Sequence, residues 1–320
     1  MKTRHALLAG LMMFAAAPAA AQEFPSRPIR LVIPYPAGGT TDVIARALQE
    51  PMRAALGQPI VIDNRGGGSG ALGMREVMNA APDGYTLAFP NNGPAVILPV
   101  VDPNIGYRGT AMTAVTRVTR APLVLVTPAS LPPRDLRGLI AYARERPGRL
   151  NYGTAGVASL GHIATLLLAQ AADFSATHIP YRGQGPMTVA VTAGEVDFVL
   201  TSSSTAMNGQ IQAGNLRALA VSTADPSPVM PGVPPISTVI PGFSVEIWFG
   251  LLAPPNTPAP IVNRIADAVR QGLALPAVQQ TLRAAGMEPD GSTPAAYARV
   301  LTEEEAMWRT VITRANIRPE

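Results

Sequence analysis

Hydrophobic and polar positions along this chain change period repeatedly. Ile29, Leu31, Val32 and Ile33 form a short β-branched run. Residues 41–56 then carry apolar positions at helical spacing, and 60–62 is a second short apolar run. Residues 71–81 read as a second helix, Asp83-Gly84 as a turn, and 85–89 as a third strand. The order β-α-β-α-β predicts a parallel sheet with helices on its faces.

Residues 95–114 break the rhythm, with short apolar pieces interrupted by Pro99, Pro103 and Gly106. Residues 115–118 and 123–126 then read as two strands. Pro128, Pro132 and Pro133 mark a change of composition after the second, so 123–126 is expected to cross between two lobes. The alternation resumes with helix 134–144, strand 150–153, a small-residue loop at 154–159, and helix 160–171. Strand 178–181 leads into a helix opened by Gly183-Gln184-Gly185-Pro186, where a proline near the first turn costs no hydrogen bond. Strand 196–200, a helix 205–213 capped from Ser202-Ser203-Ser204, and strand 216–221 follow. A Pro-rich stretch at 226–241 precedes the apolar run 245–252, which contains Trp248 and is expected to make the return crossing. Three helices close the chain at 258–273, 276–285 and 294–312, each opened by proline. Glu303-Glu304-Glu305 is expected on a solvated face of the last.

The length bounds the architecture. The chain has 320 residues, enough for two α/β lobes rather than one core. The expected division is 22–122 with 246–320 as one lobe and 123–245 as the other. Residues 1–21 are expected to be a secretory leader: Lys2 and Arg4, an apolar run at 6–17 too short to span a bilayer, and the A-x-A pattern of Ala19-Ala20-Ala21. There are no cysteines, so an exported form has neither disulfides nor a lipidated Cys. It is expected free in the periplasm, as a monomer.

Charge excludes several classes. Loss of Lys2 and Arg4 with a leader lowers the formal net charge of +4 by two, and no Lys/Arg stripe interleaves with aromatics. Nucleic-acid binding is therefore not expected. The 29 Gly and 33 Pro lie beside a 47% hydrophobic content, which favours a folded chain. Of three His, His5 lies in the leader, and His162 and His178 are not at a zinc spacing; no metal or cofactor is expected.

The chemistry concentrates in two loops. Residues 34–42 read P-Y-P-A-G-G-T-T-D between a strand and a helix, an arrangement that aims backbone N–H groups and a helix N-terminus at one spot. The loop at 154–159 has the same setting. In open α/β sheets ligands bind beyond the carboxyl ends of strands. If the two loops belong to different lobes, they can hold a carboxylate from both sides without a formal charge. Tyr35 is expected to line that pocket, and Asp42 either caps its helix or meets the ligand. Residues 68–73, G-S-G-A-L-G, match a dinucleotide fingerprint literally, yet they follow the second strand and read better as a tight turn for close helix packing. Ser159, His162 and Asp197 suggest a serine hydrolase as an alternative. No G-x-S-x-G elbow supports it, and a Ser and His on adjacent turns leave little room for an oriented base.

A set of ordered segments carries a resemblance. These are F-P-S-R-P-I-R-L-V-I-P-Y-P-A-G-G-T-T-D at 24–42, I-D-N-R-G-G-G-S-G at 62–70, P-D-G-Y-T-L at 82–87, and N-Y-G-T-A-G-V-A-S-L-G-H at 151–162. Y-R-G-Q-G-P at 181–186, G-E-V-D at 194–197 and W-F-G-L-L-A-P at 248–254 complete it. The chain resembles the Bug/TctC family, extracytoplasmic solute receptors of tripartite tricarboxylate transporters. The resemblance implies a type II periplasmic binding protein fold: two α/β lobes, two hinge strands, and a ligand cleft between them. It implies that Ala37, Gly38, Gly39, Thr40, Thr41 and Asp42 face Thr154, Ala155, Gly156 and Ser159 around a ligand carboxylate. Tyr35, Asn91, His162, Tyr181 and Ser202 are expected to complete the site, with Asn92 and Ser203 as further specificity positions. Thr154 stands where the family often has Ser, and Ala158 where it often has Gly. The implied ligand is a dicarboxylate, tricarboxylate, acidic amino acid or aromatic acid, and the implied partners are membrane subunits of a transporter. A sensory or scavenging receptor with no transporter of its own is a further alternative.

Overall fold

The computed structural model describes residues 24–314, so the expected leader at 1–21 lies outside the described residues. The first half of the chain alternates as its pattern predicts. β1 (Ile29–Ile33) leads to α1 (Thr40–Leu56), β2 (Ile60–Asn64), α2 (Ala71–Met78) and β3 (Thr86–Ala88). Helix α1 buries Ile44, Leu48, Met52 and Leu56 at spacings of four, and ends where Gly57 turns left-handed at φ 73°. β1 pairs in parallel with β2 on one side and β3 on the other.

The stretch that broke the rhythm is core rather than loop. A π-helical turn covers Gly93–Ile97 and runs into α3 (Leu98–Val101), and Ala95, Val96 and Ile97 are buried.

The two strands expected at 115–118 and 123–126 are one. β4 (Thr113–Pro128) runs 16 residues without interruption. Then come α4 (Leu136–Arg144), β5 (Asn151–Thr154), α5 (Leu160–Ala171), β6 (Thr177–Pro180), α6 (Gln184–Ala193), β7 (Phe198–Ser202), α7 (Thr205–Gln212) and β8 (Leu216–Val221). β9 (Glu246–Ala253) precedes α8 (Ala259–Leu273), α9 (Pro276–Ala284), a two-residue β10 (Glu288–Pro289) and α10 (Pro294–Arg314).

β4 joins the two halves of the sheet. Its first part, through Pro122, pairs antiparallel with β9; from Leu123 onward it pairs with β7 and β8. Pro122 lacks a ladder donor and sits where the partners change, so it does not interrupt the strand. Ser222 fastens the return path at the same level. Its N–H donates to Leu123 O at 2.9 Å, its Oγ accepts the Leu123 N–H at 2.8 Å, and that hydroxyl donates to Val245 O. Both crossings therefore converge on one buried serine.

Helices cover the sheet, with α1 packed on α8, and α8 and α10 packed on β4. Trp248, Trp308 and Tyr297 are among the largest side chains taken wholly out of water. Burying an apolar surface of this size contributes about 2–3 kcal/mol, offset at Tyr297 by a buried hydroxyl with no hydrogen-bond partner among the described residues. The acidic run in α10 is not a uniformly solvated face. Glu303 is exposed, but the Glu304 carboxylate turns inward to accept Trp248 Nε1–H at 2.6 Å, and Glu305 accepts from Thr110 and Arg309. The apolar stripe of the helix sets this rotation: Tyr297, Leu301, Trp308 and Ile312 are buried, and Glu304 sits one turn before Trp308.

Candidate functional site

Two helix starts open on one cavity. The loop after β1 leads into α1, and the loop after β5 leads into α5. The space between them is about 660 Å³, open solvent at its mouth included. Its apolar floor comes from the crossing strands and their neighbours: Leu123 of β4, Leu200 of β7, Ile247 and Phe249 of β9, and Leu160 of α5.

Ten of the residues expected from the sequence line this cavity. They are Tyr35, Ala37, Gly39, Thr40 and Thr41 on one side, Thr154, Ala155, Ser159 and Ser202 on the other, and Asn91. The two loops, 120 positions apart, do face each other.

Gly38, Asp42, Gly156, His162 and Tyr181 stand outside the lining. Gly38 has φ +88°, and its N–H donates to Asp42 Oδ2 at 3.1 Å. Asp42 is buried and also accepts from Arg46 at 2.8 Å and Asn64 at 3.2 Å. Burial alone would raise its carboxyl. The hydrogen bonds from Arg46, Gly38 and Asn64, with the Arg46 charge, outweigh that and hold it below the ordinary carboxylate value. Asp42 therefore braces its own loop as an anion. Tyr181 donates its N–H to Thr154 O at 2.9 Å, which ties strand β6 to the second loop.

Ser159 caps α5: its Oγ accepts the His162 main-chain N–H at 3.3 Å. His162 Nδ1 accepts the Ala158 main-chain N–H at 3.1 Å, and its ring lies parallel to that of His178 at 3.9 Å. Both side chains shape the helix start, as expected for a His beneath the loop. Asp197 accepts the Asn151 N–H at 2.7 Å and so fixes the start of β5. Asn92 and Ser203 also lie outside the lining. Asn92 is fully buried and donates to Glu246 O at 3.0 Å, behind the pocket rather than in it.

Many of the lining's polar groups bond one another. The Tyr35 hydroxyl donates to Asn91 Oδ1 at 3.1 Å, and burial pushes that hydroxyl well above its usual range, so it stays protonated. The same Asn91 oxygen takes the Gly93 N–H at 2.9 Å. Helix α1 has no side chain of its own as cap. Its first N–H, from Thr40, donates at 3.2 Å to Gln184 Oε1, at the start of α6 in the other half of the sheet. The Thr40 hydroxyl reaches Gln184 Oε1 and Ser203 O, and Gln184 Nε2 donates to Ser202 O. Thr40 and Gln184 therefore bind the two halves of the sheet across the cavity.

Sequence reasoning left Gln184, Arg182 and the apolar floor out of the site. The Y-R-G-Q-G-P run was visible, but nothing in it indicated that Gln184 reaches across the cleft. The floor was legible in principle, because Leu123 and Ile247 lie in the two strands expected to cross.

The glycines differ in what they do. Gly39 has φ −82° and a Cβ there would meet nothing within 4 Å. Gly39→Ala is expected to fold normally and to bind within about threefold of the parent by calorimetry, since any residue adopts that backbone. A large side chain at the same position would instead fill the cavity. Gly156 has φ +141°, and a Cβ would lie 2.9 Å from Ser69 Oγ in the turn at Gly68–Gly70. That turn belongs to the fingerprint-like run, whose Gly70 and Gly73 allow close approach to Pro94 and Pro34. Close packing is thus the role of the run.

Comparison with known proteins agrees with this geometry. Residues 44–317 match the model of the tripartite tricarboxylate transporter family receptor, TctC. A protein encoded in the tcbD-tcbE intergenic region of a Pseudomonas species is 36% identical over 292 residues, covering 90% of this chain and 86% of the relative. A solved structure of Rpa4515 from Rhodopseudomonas palustris with adipate shares 34% identity at a TM-score of 0.88, covering 93% of this chain and all of that one. MatC from the same organism, with bound malate, shares 32% identity at a TM-score of 0.84, with 90% and 100% covered. A divided α/β sheet, two crossings and opposed loops over one cavity thus accompany a family match across most of the chain: it is a two-lobed periplasmic binding protein of the TctC, or Bug, family of solute receptors.

Proposed function

We propose that this receptor closes on a small carboxylate held between the loops at 34–42 and 154–159, and delivers it to the membrane subunits of a tripartite tricarboxylate-type transporter. One observation carries the reading: the starts of α1 and α5 open on a single cavity whose lining, among the described residues, contains no carboxylate. The N-terminal ends of the two helix dipoles and the Arg182 guanidinium favour an anion in such a space. The bound malate and adipate of the two Rhodopseudomonas structures support the same class of ligand.

The lobes in this reading are 22–122 with 246–320, and 123–245, which matches the change of strand partners between Pro122 and Leu123. Closure joins Thr40 to Gln184, and opening lets water satisfy the donors so that the ligand can leave. Residues 1–21 direct the chain to the periplasm, where it acts as a monomer.

The test is thermal melting and calorimetry of ligand-stripped protein against a panel of di- and tricarboxylates, aromatic acids, acidic amino acids, sugars and cations. At least one acid is expected to raise the melting temperature by about 5 °C at a hundredfold excess over its Kd, because such binding contributes about 2.7 kcal/mol. Binding confined to sugars or cations would sink the proposal.

A further inference from the structure

Among the described residues, the cavity lining contains one formally charged residue, Arg182, and no Asp or Glu. The acidic residues nearest in sequence face other groups: Asp42 is held by Arg46, Gly38 and Asn64, Asp197 by Asn151, and Glu246, beside Ile247, lies 3.7 Å from Arg120. The amide oxygens of the lining are also taken. Asn91 Oδ1 holds Tyr35 and Gly93, and Gln184 Oε1 holds Thr40. Three main-chain carbonyls each already accept one bond: Thr154 O from Tyr181 N–H, Ala155 O from Gly183 N–H, and Ser202 O from Gln184 Nε2. An ammonium group entering this space would lose its water and gain no counter-charge, only hydroxyls and carbonyls that already hold bonds of their own, and a buried cation without a counter-charge is strongly disfavoured. The floor gives the complementary signal. Leu123, Leu160, Leu200, Ile247 and Phe249 favour methylene groups over polar substituents.

We infer that the cleft discriminates against an amino group: its ligand is an acid with an apolar chain and no ammonium, an aliphatic dicarboxylate in preference to an acidic amino acid. This rests on the carboxylate-receptor reading and narrows it. The discrimination comes from the charge: an ammonium desolvated without a counter-charge costs at least as much as a lost methylene contact, which is worth about tenfold or more.

Matched pairs isolate the amino group at constant length: succinate against aspartate, glutarate against glutamate, and adipate against 2-aminoadipate. Calorimetry on the ligand-stripped receptor, with thermal melting as a second readout, is expected to find that the acid in at least one pair binds at least tenfold more tightly than its amino counterpart. An amino acid that binds as tightly as its partner, or more so, overturns the inference and leaves the carboxylate receptor standing. Silence of all six overturns it as well. In that case citrate or benzoate measured in the same assay separates the two ideas, because their binding preserves a carboxylate receptor and their silence removes that too.

Discussion

Gly156→Val is expected to weaken carboxylate binding by at least about 100-fold, or about 2.7 kcal/mol, while the unliganded protein stays folded. Two independent causes act at this residue. Its φ of +141° lies outside the regions open to a β-branched side chain, which costs on the order of 1–3 kcal/mol where the surroundings enforce it. A Cβ would also stand 2.9 Å from Ser69 Oγ, a hydroxyl that can rotate aside, and 3.7 Å from Ser69 Cβ, so it is the branched methyls of valine that press on this turn of the opposite half of the sheet. The second cost exists only when the halves meet. Opening relieves it, and the closed form loses population. The first cost bears on the loop itself, which either retains the strain or turns, displacing the Ser159 cap and the start of α5. Calorimetry reads the affinity, and melting without ligand reads the fold. Gly39→Ala is the control, with open space around its Cβ. An affinity for the valine variant within about fivefold of the parent would show that Ser69 and Gly156 need not approach for binding.

The contrast between these glycines shows what was readable from residues alone. Both lie in small-residue loops between a strand and a helix, and both were equal candidates on that basis. Only the backbone angle and the neighbour across the cleft separate them, and neither is local in sequence. The same limit applies elsewhere. Strand and helix order was legible because each element buries one face with its own period, as in Ile44, Leu48, Met52 and Leu56 of α1. The facing of the two loops was legible because each sits at a strand's carboxyl end. The continuity of β4 was hidden by Pro122, a residue that normally ends a strand but here marks a change of partners. Gln184 was hidden for a different reason. Its partners lie 144 positions upstream at Thr40 and 18 downstream at Ser202, and no periodic pattern announces a bond across a cleft. Asn92 and Glu304 were misassigned for a related one: a polar residue beside a ligand loop or inside an acidic run gives no sign that it turns inward.

Glu304→Gln is expected to remove a pH dependence of stability that the parent carries between about pH 4.5 and 7. The Glu304 carboxylate is taken from water between β9 and α10, and that burial pushes its pKa up to about 7 against the hydrogen bonds from Trp248, Trp308 and Asn92. The native state therefore holds a proton through a range in which the unfolded chain has released it. Bound protons are then more numerous in the native form, and unfolding free energy falls as pH rises. Below the unfolded value near 4.5 both states are protonated and the group contributes nothing. Above about 7 both are ionised, and the parent bears the full cost of a buried carboxylate, about 3 kcal/mol at ~1.4 kcal/mol per unit. An amide of the same shape keeps an oxygen for Trp248 Nε1–H, 2.6 Å away, and cannot ionise. Urea unfolding at several values from pH 4.5 to 7.5 should show the parent losing stability relative to the variant by that amount as pH rises, with the two closest at the acid end. Because Trp248 lies in β9 and Asn92 donates to Glu246 O at the start of that strand, the proton on Glu304 also bears on one of the two crossings between the lobes. Parallel curves for parent and variant across the range would place the titration elsewhere and detach Glu304 from the hinge.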